Sequence, residues 1–142
     1  MQIHQPSVLN ITKVKCLQIR ARLYAALSNK PSYTTVETRE SGTNRFPLLE
    51  GILADLHTQP FIHDYPITVY ESNCAHTFRV FCKNHCHLPV NKAIRGMGPD
   101  LCWKGDIIVL RSGKKHGVVN MRSRDAALAD FVVKRWASPD CC

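Results

Sequence analysis

The sequence has no apolar run of the roughly 18 residues needed to span a bilayer, and Met1 to Asn10 carries no apolar stretch like that of a secretory signal. The expectation is a soluble chain that stays inside the cell, with cytoplasm and nucleus undistinguished because no run of five or more basic residues marks nuclear import. Catalytic signatures are missing too. There is no G-x-S-x-G elbow, no G-x-x-x-x-G-K-[ST] phosphate loop and no H-E-x-x-H helix, so an enzyme is the less expected class. Arg95-Gly96-Met97-Gly98-Pro99-Asp100 lacks the third glycine of a dinucleotide site and reads as a turn. The seven cysteines are odd in number and come without an export signal, which reads as mostly reduced thiols.

Acidic residues are scarce in the second half. Met1 to Ser72 holds seven Lys or Arg against six Asp or Glu, whereas Asn73 to Cys142 holds twelve against five, so most of the +8 net charge belongs there. A positive field of this kind attracts acidic protein surfaces or nucleic acid and says nothing about fold.

At 142 residues the chain is one domain long, and no repeat or linker divides it. The reading is a single α+β domain over 1–142 with short flexible ends at 1–10 and 138–142: a mainly antiparallel sheet of about four or five strands covered by about three helices. The helices are placed at 12–28, from Val14, Leu17, Ala21, Tyr24 and Leu27; at 47–58, from Leu48, Leu49, Ile52, Leu53 and Leu56 behind Pro47; and at 124–137, capped by Ser123. Thr34 to Thr38 suits a short edge strand, and Pro66 to Tyr70 and His76 to Cys82 read as neighbouring strands. The segment 106–121 reads as a β-hairpin about Ser112-Gly113-Lys114-Lys115, and 88–101 as a loop with room for one helical turn.

Arg79, Lys83, Lys92, Arg95, Lys104, Arg111, Lys114, Lys115, Arg122 and Arg124 face only Asp100 and Asp106 in the same stretch. With His116 at the hairpin tip they form the candidate surface for an acidic partner or for phosphate. No zinc-finger spacing or aromatic-rich RNA-binding strand accompanies them.

Cys82, His85 and Cys86 are the candidate metal ligands, because thiolate and imidazole are what tetrahedral zinc prefers. The nearby Cys74 and His76 cannot join them on a straight strand, whose ends at 76 and 82 stand roughly 20 Å apart. The terminal Cys141-Cys142 resembles the ending of prenylated small GTPases over those two residues alone, with no phosphate loop beside it. The first expectation is a non-catalytic interaction domain that binds an acidic partner with no cofactor. The alternatives are a zinc-stabilised nucleic-acid-binding domain and a small enzyme using a Cys/His pair.

Overall fold

The computed structural model describes residues 16–42, 44–49, 62–83, 87–113 and 117–137, and is mostly antiparallel sheet with two short helices. The three-helix layer is therefore a misreading. The segment expected as the first helix is strand β1, Cys16–Tyr24. Leu17, Ile19, Ala21 and Leu23 alternate with Gln18, Arg20 and Arg22, so the strand period was present beside the helical one. What selects it is pairing: β2, Ser32–Ser41, meets β1 over eight residue pairs on one side, and Arg22 to Tyr24 meet β6, Ile107–Ser112, on the other. Such tertiary pairing overrides weak helix propensity.

The second expected helix also fails at its start. Pro47 and Leu48 end strand β3, Asn44–Leu48, which pairs with β2, and the remainder, 50–58, lies outside the described residues. Both expected flexible ends lie outside them as well. The expected edge strand at 34–38 is the middle of β2, inside the sheet.

Strands β4, His63–Glu71, and β5, Cys74–Cys82, form a hairpin joined by Ser72 and Asn73, both with positive φ (50° and 65°) as a two-residue turn requires. The sheet order is β3-β2-β1-β6-β5-β4, and the short β7, Val118–Val119, pairs with the far end of β6. The sheet curls into a half-barrel, and Gly117 bridges to Arg45 so that β7 meets β3. Gly117 has φ +75°, and a Cβ there would collide with the Arg45 carbonyl, so the contact requires glycine.

Burial follows from the curl. Ile107, Ile108, Val109 and Leu110 are all buried because β6 is covered on both faces. Ile108 and Leu110 join Ile19, Ala21, Val36, Phe81 and Val118 on one face. Ile107 and Val109 join Tyr24, Phe78, Val80 and Met121 on the other, beneath the helix that closes the fold. Each fully buried side chain of this size contributes about 1.5–3 kcal/mol relative to exposure.

Two helices complete the chain. The four-residue α1, Lys92–Arg95, is the one helical turn that the loop reading of 88–101 allowed. Its cap, Asn91, is fully buried: Oδ1 accepts from the Ile94 N–H at 2.8 Å, and Nδ2 donates to the carbonyls of Tyr24 and Gly105, each at 2.8 Å. Helix α2, Asp125–Trp136, forms close to where the periodicity placed it, but Ser123 does not cap it. Its N-cap position is Arg124, with no side-chain cap bond, and Asp125 accepts from the Arg122 N–H at 2.8 Å in the turn that precedes the helix.

Candidate binding groove

The basic residues that the sequence groups together do not share one surface. Arg79 pairs with Asp64 and lies over the Phe81 ring, Lys83 is buried, and Lys92 and Arg95 stand exposed on α1. Lys104 is exposed in the strand-like bridge with Val90. Arg111 donates to Asp125 Oδ1 at 3.1 Å, so its charge is spent inside the fold. Arg122 and Arg124 are exposed before α2, and Lys114, Lys115 and His116 lie outside the described residues.

Of the candidate metal ligands, only Cys82 is described. It belongs to the core beneath α2, and burial pushes its thiol up to about 12. His85 and Cys86 lie outside the described residues, and among those described no group of three His, Cys, Asp or Glu is placed to hold a metal. Cys74 is free and exposed, and Cys102 is held in a disulfide. The expectation of reduced thiols therefore fails at Cys102.

What the structure does bring together is a groove between the edge strand β4 and α2, which run antiparallel. Its apolar half, about 530 Å³, is lined by Ile67, Val69, Phe131, Val132 and Trp136, with Tyr70 and Arg135 at the rim. Its polar half, about 300 Å³, is lined by Glu71, Cys74, His76, Arg124, Asp125 and Leu128. The two cavities share no lining residue but follow one another along β4, at Tyr70 and Glu71, and along α2, at Phe131 and Leu128.

Helical geometry explains the charge pattern. Arg124, Leu128, Phe131 and Arg135 are spaced by four, three and four residues, which places them on one stripe, with the arginines about three turns or about 16 Å apart along the axis. Arg135 lies 5.7 Å over the Phe131 ring, and neither arginine pairs with a carboxylate among the described residues. Asp130 is turned to the opposite flank. It accepts from the Tyr24 hydroxyl at 2.5 Å and from Arg22 Nε and Nη2 at 3.2 Å each. Burial works against the Arg22 charge, yet the Asp130 carboxylate outweighs it and leaves the pKa of Arg22 raised.

At the polar end, Arg111 Nη1 lies 3.0 Å from His76 Nδ1. A guanidinium only donates, so Nδ1 accepts and the neutral ring carries its proton on Nε2, 3.9 Å from Glu71 Oε1. Both ring nitrogens are directed at other groups, and Cys74 gains no free imidazole base. Cys74 and His76 are thus not arranged as nucleophile and base.

The apolar end is aromatic. Trp136 packs 4.5 Å from Tyr65 and 6.3 Å from Trp103, centroid to centroid, and both indole N–H groups are buried with no acceptor among the described residues. Trp103 is half-buried in this cluster and is not an exposed anchor beside Lys104. Among the described residues no helix is long and apolar enough to cross a membrane. No protein-family model, no curated protein and no solved structure matches this chain.

The groove was only partly foreseen. Arg124 stood among the candidate residues, but Arg135, Phe131 and the β4 residues did not. The 124-128-131-135 spacing was the signal that could have found the helical side.

Proposed function

We propose that this protein is a small interaction domain that holds an acidic partner in the groove between β4 and α2. The observation that carries the reading is the stripe on α2: an apolar floor between two arginines that form no ion pair among the described residues, with Glu71 and Asp125 lining the cavity beside Arg124. The net charge of +8 adds long-range attraction for such a partner. The basic residues of α1 and the exposed Arg122 contribute to that field without forming the site.

The test is a titration with a labelled acidic peptide, Ac-Ser-Glu-Thr-Val-Thr-Glu-Ser-NH2, into the wild-type protein and into the Arg124→Glu, Arg135→Glu double variant. The reading predicts saturable, salt-sensitive binding that the double variant weakens at least tenfold. Equal affinity for both proteins would remove the groove as the site. Equal binding of a single-stranded oligonucleotide in competition with the peptide would assign it to phosphate instead.

A further inference from the structure

We infer that the occupant of this groove is an extended segment of the acidic partner that adds to β4 as an outer strand. The inference rests on the groove reading above and specifies the partner's form. β4 ends the strand order and, among the described residues, pairs on one side only, with β5. At nine residues it is about 30 Å long, ample for a further strand.

Pro66 fixes which backbone groups are on offer. It stands opposite Arg79 in the β4–β5 pair, and a proline inside a paired strand is tolerated where its nitrogen points away from the partner. The two-residue alternation of a strand then turns the N–H and C=O groups of Thr68 and Tyr70 outward as well. Both residues line the groove, and Tyr70 is 77% exposed. On the other side of Pro66, Asp64 is engaged with Arg79, so the usable edge is the second half of β4. That half faces Phe131 and Trp136.

An added strand would run between Arg124 and Arg135. Side chains two residues apart share a face, so residues i and i+4 lie about 13 Å apart, close to the 16 Å arginine separation once side-chain reach is included. The pattern that fits is an acid, an apolar residue two positions on and an acid two positions further. The apolar residue meets Ile67, Val69 and Phe131, and the acids meet the two arginines. Backbone hydrogen bonds supply affinity and the alternate side chains supply specificity, as in other strand-addition complexes. A second copy of this chain suits the edge less well, because each copy carries a net charge of +8.

The experiment is residue-resolved amide hydrogen exchange on the full chain with and without the peptide named above, together with the same peptide N-methylated at alternate residues. Strand addition predicts that the Thr68 and Tyr70 amides slow at least tenfold on saturation and that N-methylation of the edge-facing residues weakens binding at least tenfold. Binding that leaves these amides unchanged and tolerates N-methylation overturns the inference and leaves the groove reading standing. Absence of binding by the unmodified peptide overturns both. Protection of the same amides by raising protein concentration alone assigns the edge to a second copy and also overturns it.

Discussion

The Tyr24 hydroxyl donates to Asp130 Oδ1 at 2.5 Å, and this bond, with the two from Arg22, fixes how α2 lies across β1. By drawing Asp130 to that flank it leaves Asp125, which is paired with Arg111, as the acid of the helix on the flank of Arg124 and Arg135. Burial and the Asp130 carboxylate hold the pKa of Tyr24 far above its ordinary value.

Alkaline stability should follow from this tyrosine and from Cys82. Both groups have raised native pKa values, so the stability they contribute is complete below the unfolded values, about 9 for Cys82 and 10 for Tyr24, and is lost as pH rises through the native ones. Unfolding free energies from urea titrations should fall from about pH 9 upward, by at most about 1.4 kcal/mol per pH unit per group. Cys82→Val should remove the fall between pH 9 and 10, and a variant with an unchanged profile would contradict the assignment.

Asn91→Ala should be among the most destabilising changes at a polar residue. It strips a cap from α1 and leaves the Tyr24 and Gly105 carbonyls buried without their donor, a loss of about 3 kcal/mol or more, given about 1–3 kcal/mol for each buried group left unpaired. Chemical denaturation measures it directly.

Two turn substitutions should act in opposite directions. Gly117→Ala forces a side chain into the Arg45 carbonyl at positive φ and should lower the melting temperature by separating β7 from β3. Ser72→Gly relieves a positive φ of 50° at the exposed β4–β5 turn and should raise stability by up to about 1 kcal/mol. Thermal melts of the two variants compare the predictions.

Thiol chemistry should separate two of the cysteines. A maleimide applied to the native protein should label the exposed Cys74 rapidly and spare the buried Cys82 until the chain unfolds. Peptide mass analysis before and after denaturant reads the outcome, and labelling of both at equal rates would contradict the burial of Cys82.

Several elements were legible because their periodicity had a single interpretation. The alternation in His76 to Cys82, the antiparallel pairing of Ile107–Ser112 with Val118–Val119, and the helical stripe after Arg124 all emerged as expected. β1 was misread because Leu17, Ala21 and Tyr24 fit a helix while Leu17, Ile19, Ala21 and Leu23 fit a strand, and distant partners in β2 and β6 decided between them. Counting charges misled in a similar way. Arg79 and Arg111 are neutralised by Asp64 and Asp125, fifteen and fourteen positions away, which a local tally cannot reveal. The groove was hidden for the same reason, since its strand half and its helix half are some sixty residues apart in sequence.

The most direct test of the groove is a map of backbone chemical-shift changes as the acidic peptide is added to the isotopically labelled chain. The account predicts shifts concentrated at 67–71 on β4 and at 124–136 on α2, with Lys92 and Arg95 unmoved. Shifts confined to α1 and the residues around it, with β4 and α2 silent, would contradict it and return the acidic partner to another basic surface.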